Sequence, residues 1–105
     1  MCLSRSGLSE AELDMLRSTL LETSELTRAW LFGSRAKGTA KLNSDIDIAV
    51  EGLENNLQIE ALRDRLNDLP MPYIVDVQSV EKIQSSELRD HIDRRGILLF
   101  ERSLH

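Results

Sequence analysis

Cys2 is the only cysteine in the sequence, so no intramolecular disulfide can form and a reducing compartment is the natural setting. No apolar run approaches the ~20 residues that a membrane span requires, and no secretory apolar segment appears at the N-terminus. Internal repeats, low-complexity tracts and linkers are missing as well. Positive charge is in short supply: 13 Lys and Arg stand against 18 Asp and Glu, a net charge of −5. That balance argues against an extended grip on nucleic acid, which needs clustered cations, but leaves room for a small cationic site. Together these absences describe a soluble, cytoplasmic protein with no membrane role. Size adds a further limit. The 105 residues fit a single domain, and a chain this small buries only about 60–70% of its unfolded surface. Any site must be shallow, or completed by another subunit of an oligomer or by a partner protein.

What is present is enough for a core: 41% of the residues are hydrophobic and 30% are charged. Residues 1–7 carry no periodic pattern and read as a loose tail. Ser9 and Glu12 form a capping-box pair, Leu8 and Leu13 stand at staple spacing around it, and Leu13, Leu16 and Leu20 mark one face. A helix over 10–25 follows. Residues 28–32 read as a strand ending at Gly33-Ser34, and 34–37 as one helical turn before Gly38. Residues 44–50 alternate with period two and read as a second strand. The spacing then predicts a helix over 56–69, with Leu57, Ala61, Leu62, Leu66 and Leu69 inward and Pro70 and Pro72 closing it. A third strand is expected at 73–78, and a helix over 86–95 ends at Gly96. Residues 97–100 read either as a fourth strand or as a packed tail. The element order gives an α+β fold: a small mixed sheet of three to four strands with helices mainly on one face.

Three aspartates stand where strands disfavour them. Asp45 and Asp47 are two apart, so their side chains share a face with Cα atoms roughly 6.6 Å apart, while Ile46 and Ile48 point to the core. Asp76, within Ile74-Val75-Asp76-Val77, must also leave an apolar strand. Three anions on one small sheet repel one another unless compensated, and a divalent cation is the simplest compensation. Carboxylate oxygens suit Mg²⁺, and two ions ~3.5–4 Å apart stabilise both the attacking and the leaving oxygen of an in-line displacement. Gly33 lets backbone N–H groups approach phosphate oxygens closely. A helical turn opening at Ser34 would add free donors, and the Ser34 hydroxyl either donates to a phosphate or serves as an ordinary N-cap. Arg35, with its planar fork, is the better phosphate ligand of the nearby Arg35 and Lys37.

A lone DxD or a lone Gly-Ser carries little information; their combination at this spacing carries more. The segment Leu31-Phe32-Gly33-Ser34-Arg35-Ala36-Lys37-Gly38-Thr39-Ala40, followed by Asn43-Ser44-Asp45-Ile46-Asp47-Ile48-Ala49-Val50, resembles the signature of the MNT-type minimal nucleotidyltransferases. These belong to the DNA polymerase beta-like superfamily, alongside kanamycin nucleotidyltransferase. The resemblance runs from residue 9 to residue 101 and shows no departure in the motif. It implies that Gly33 and Ser34 hold the triphosphate of a nucleoside triphosphate such as ATP, with Arg35 beside them. It implies that Asp45 and Asp47 bind metal, two Mg²⁺ ions being expected. Asp76 falls where the family carries its third carboxylate, as metal ligand, as general base, or as both. Family members of this size are often encoded beside a helical HEPN protein and act as its antitoxin. The resemblance therefore implies a HEPN partner and transfer of AMP to a tyrosine on it.

Two other readings stand beside this one. The fold could serve as a non-catalytic nucleotide- or partner-binding subunit. Asp45-Ile46-Asp47 could be the DxD of a glycosyltransferase, although such enzymes need a larger domain and would leave Gly33-Ser34 unexplained. His91 reads as a surface or half-buried structural histidine, His105 has no defined partner, and Trp30, Phe32 and Tyr73 read as packing residues. Glu87, Arg89, Asp90, Asp93, Arg94 and Arg95 read as a solvated helix face.

Overall fold

The computed structural model describes residues 7–33 and 45–102. Helix α1 (Glu10–Leu21) opens on the capping box that its sequence announces. Glu12 N–H donates to Ser9 Oγ at 3.1 Å, and Ser9 N–H donates to Glu12 Oε1 at 2.9 Å. The helix ends at Leu21 rather than at 25. The chain turns there because Arg102 donates to the carbonyls of Leu21, Thr23 and Leu26 at 3.0, 3.1 and 3.1 Å, taking up acceptors that a continuing helix would use. Leu26 is thereby driven into the core.

Four strands follow: β1 (Arg28–Phe32), β2 (Ile46–Glu51), β3 (Val75–Ser79) and β4 (Ile97–Glu101). They form one mixed sheet in the order β3-β2-β1-β4. β1 is antiparallel to both β2 and β4, whereas β2 and β3 are parallel and are joined by the crossover helix α2 (Asn56–Asn67). A single 3₁₀ turn, Val80–Lys82, and helix α3 (Ser86–Arg95) lead into β4. The run at 97–100 is thus a strand and not a packed tail. Among the described residues no helix is long and apolar enough to cross a membrane.

The period of two along the strands divides the sheet into two faces. Ala29, Leu31, Ile46, Ile48, Val50, Val75 and Val77 point to one face, where Leu13, Leu16 and Leu20 of α1 and Ile59, Leu62 and Leu66 of α2 cover them. On the other face, Phe32 and Ala49 meet Ile92 of α3, with Trp30, Val80, Ile83 and Leu88 packed around them. Two helices therefore cover one face and α3 covers part of the second. Trp30 and Phe32 are packing residues, and Tyr73 is partly buried against the main cluster.

The register of α2 differs from the expected one. Leu57 is 74% exposed and Ala61 is exposed as well, whereas Ile59 is buried with Leu62 and Leu66. At 100° per residue, positions 59, 62 and 66 form one stripe and positions 57 and 61 fall on the far side. The helix also stops at Asn67 rather than 69. The Asn67 side chain receives Val75 N–H and donates to Val75 O, both at 2.9 Å, which ties the end of α2 to the start of β3. Leu16 of α1 is fully buried. Leu16→Ala is expected to cost about 2–5 kcal/mol, read as a lower denaturant midpoint at unchanged slope.

Candidate functional site

The strand register brings the acidic residues together. Asp47 on β2 lies between Phe32 on β1 and Asp76 on β3. The neighbours of Asp47 and Asp76 along each strand, Ile46, Ile48, Val75 and Val77, are buried on the α1–α2 side, so both carboxylates leave the sheet on the opposite face. Asp45 immediately precedes β2 and is exposed; Ile46 N–H donates to Ile74 O at 2.9 Å, which extends the parallel ladder to this end.

Gly33 ends β1 with a left-handed φ of +73°. A Cβ built there would lie 2.5 Å from Asp47 Oδ2. The backbone conformation requires glycine, and the Asp47 carboxylate fills the space a side chain would take. This contact joins the two halves of the motif, the turn and the DxD, in space. The Gly33 amide itself is already engaged: Gly33 N–H donates to Nε2 of His91 at 2.9 Å. Ser34 and Arg35 lie outside the described residues, as does the predicted turn over 34–37.

Electrostatics follow from this placement. Burial, and then the negative charges of Asp76 and Asp45, raise the Asp47 carboxyl above the usual carboxylate range. Asp76 has a cation beside it. Arg63 of α2 reaches round the edge strand β3, its Nη2 donating to Val77 O at 3.1 Å and its Nε standing 3.3 Å from Asp76 Oδ1. That Nε is buried and meets the carboxylate at ion-pair distance without the alignment of a hydrogen bond. Both side chains are part-exposed, so the pair contributes at most about 1 kcal/mol. Among the described residues, no cation pairs with Asp47, and no three acidic, histidine or cysteine side chains are gathered closely enough to enclose a metal ion. The donor set still has the right chemistry for a hard divalent cation, being carboxylate oxygen throughout. The negative charge that opposes Asp47 ionisation is what such a cation would relieve.

Because the Asp47 carboxyl is raised in the fold, its contribution favours folding at low pH and is lost as pH rises through its folded value. At neutral pH the ionised carboxylate thus opposes the metal-free fold. Asp47→Asn should raise the melting temperature of metal-free protein at pH 7, the gain shrinking in acid. Mg²⁺ should raise the melting temperature of the unsubstituted protein and leave the variant's unchanged.

Two residues here escaped the sequence reading. Arg63 had no local signal, and His91, half-buried as expected, was not expected to reach Gly33. The His91 ring also meets Phe32 edge-on, with centroids 6.3 Å apart and planes at 70°. Beside it, Glu87, Asp90, His91, Arg94 and Arg95 line an open depression of ≈ 490 Å³, so the solvated face of α3 borders the site.

The sequence matches the family model described as Polymerase beta, Nucleotidyltransferase over residues 15–105. No protein with a curated description matches it. Among solved structures, a toxin–antitoxin with AMP-PNP is similar at a TM-score of 0.72 and 27% identity, covering 86% of this chain and 73% of that one. The toxin–antitoxin MntA–HepT is similar at 0.69 and 23% identity, covering 90% and 74%. A complex of tri-AMPylated Shewanella oneidensis HEPN toxin with MNT antitoxin is similar at 0.69 and 21% identity, also covering 90% and 74%. The last two likenesses speak for the fold alone, and that fold is the mixed four-stranded sheet with its helices described above. With the family model spanning most of the sequence, the chain belongs to the polymerase beta nucleotidyltransferase family.

Proposed function

We propose that this protein transfers AMP from ATP to a hydroxyl of a protein acceptor with release of pyrophosphate, and that the acceptor is a tyrosine of a helical HEPN toxin. The observation that carries the reading is Asp47 flanked by Gly33 on one side and Asp76 on the other. The likeness to a toxin–antitoxin with AMP-PNP supports an adenine nucleotide and a toxin as partner.

Asp45, Asp47 and Asp76 would hold Mg²⁺, two ions in all, which when bound supplies neutralisation of phosphate charge and of the leaving pyrophosphate. The remaining steps belong to the chain's own groups. The turn at Gly33 and Ser34 receives the terminal phosphates, and Arg35 adds positive charge beside them. The acceptor oxygen attacks the α-phosphorus, the bond to the bridging α–β oxygen breaks, and pyrophosphate departs. Asp76 takes the hydroxyl proton, and Arg63 holds the Asp76 carboxylate at the edge of β3. Such a reaction needs chiefly positioning and charge stabilisation, which a shallow site on a small sheet can supply.

Nucleotide specificity tests this reading directly. ATP with Mg²⁺ at about 100 times its Kd should stabilise the protein by about 2.7 kcal/mol, seen as a higher melting temperature. UDP-glucose with Mg²⁺ should give no shift. Equal protection by the nucleotide sugar, or none by ATP, would contradict the proposal.

A further inference from the structure

We infer that His91 is a positioning residue for the triphosphate-binding turn: its imidazole fixes the Gly33 amide and so sets how the end of β1 is presented to nucleotide. The inference rests on the nucleotide-binding reading of Gly33.

Phe32↔Asp47 is the last pair of the β1–β2 ladder at this end, so sheet hydrogen bonding stops one residue short of Gly33. From there the chain adopts φ +73°, and among the described residues no ladder pair holds it. Two groups bracket it. Asp47 Oδ2 fills the space that a Cβ would take, and His91 Nε2 accepts the amide hydrogen at 2.9 Å. The contact spans 58 residues and ties the turn to α3. The imidazole is well anchored for this task. Ile92 next to it is buried, Leu88 one turn earlier packs on the same cluster, and the ring meets Phe32 edge-on. Nε2 accepts only without a proton of its own, so the neutral ring carries its hydrogen on Nδ1. Without an acceptor at this place the part-buried amide would lose its partner, and the turn would sample other orientations. His91 thus acts through Gly33, with no contact to phosphate required.

The comparison of two substitutions isolates this role. His91→Phe keeps a ring against Phe32 and removes the acceptor; His91→Gln places a carbonyl oxygen within reach of the same amide. His91→Phe should weaken Mg²⁺·ATP binding by calorimetry, and raise the KM for ATP in AMP transfer, by about 10-fold, with kcat changed less than about 3-fold. His91→Gln should stay within about 3-fold of the unsubstituted protein in both. Amide exchange at Gly33 in nucleotide-free protein should be slowed in the unsubstituted protein and His91→Gln and fast in His91→Phe. Should His91→Phe fail to fold, His91→Leu carries the same comparison. Unchanged ATP affinity in the acceptor-free variant, or equal losses in it and in His91→Gln, would overturn the inference. If the unsubstituted protein shows Gly33 protection but no ATP binding, the nucleotide reading itself fails and the inference falls with it.

Discussion

Replacing Asp47 with asparagine is expected to lower AMP transfer by about 10³-fold or more, equivalent to ~4 kcal/mol of transition-state stabilisation. Asparagine has nearly the same shape, so the packing beside Phe32 and Gly33 survives and only the charge is lost. Asp47 is the carboxylate on which the site converges: it fills the space a Cβ would take at Gly33, pairs in register with Asp76, and feels the charges of Asp76 and Asp45. A carboxylate kept for structure would show the opposite balance, with stability lost and activity spared. Here the same substitution should raise the stability of metal-free protein, because it removes a charge that burial and two neighbouring anions oppose. Single-turnover transfer rates and thermal melts of one variant therefore test the site from two sides. A variant that transfers AMP at the unsubstituted rate would remove Asp47 from the chemistry.

Gly33→Ala should cost about 10²-fold in transfer and only about 1–3 kcal/mol in stability. The backbone penalty comes from φ +73°, which an L-residue adopts at a cost of about 1–2 kcal/mol. The catalytic penalty has a different source. The new Cβ would fall 2.5 Å from Asp47 Oδ2, and the carboxylate, being the end of a side chain, can give way. Yielding protects the fold but displaces the group that must hold its position. Gly52 supplies the control. It also has a positive φ, of +102°, but its Cβ would meet the backbone carbonyl of Glu25, far along the sheet from Asp47. Gly52→Ala should lose at least as much stability as Gly33→Ala and keep its transfer rate once folded. If both variants lose activity in proportion to stability, the contact between Gly33 and Asp47 has no catalytic meaning.

These expectations draw on features that differ in how far they could be read from sequence. The capping box at Ser9 and Glu12 and the strand β1 are local and appear where spacing placed them, whereas β2 runs over 46–51 rather than 44–50 and leaves Asp45 just outside it. Asp47 could be assigned to the face opposite Ile46 and Ile48 because a strand's period is two. The inward face of α2 could not be settled the same way. Leucine and alanine at 57 and 61 are as apolar as a core residue, and only packing against the sheet selects Ile59 instead. The match of Asp47 with Asp76 depends on the β2–β3 register, which α2 and its Asn67 tie determine. Arg63 beside Asp76 and His91 on Gly33 are further cases. Each contact bridges separate elements and exists only after the helices are seated. The resemblance to nucleotidyltransferases pointed to the motif; the fold shows which of its described members stand side by side.

The central claim is that this end of the sheet carries out nucleotidyl transfer to a protein. It is tested most directly by incubating the protein and a co-expressed HEPN partner with ATP labelled at the α-phosphate. The account predicts Mg²⁺-dependent label on the partner, lost on adding EDTA and lost in Asp45→Asn combined with Asp47→Asn. Labelling by that double variant at the unsubstituted level, or labelling that persists in EDTA, would contradict it.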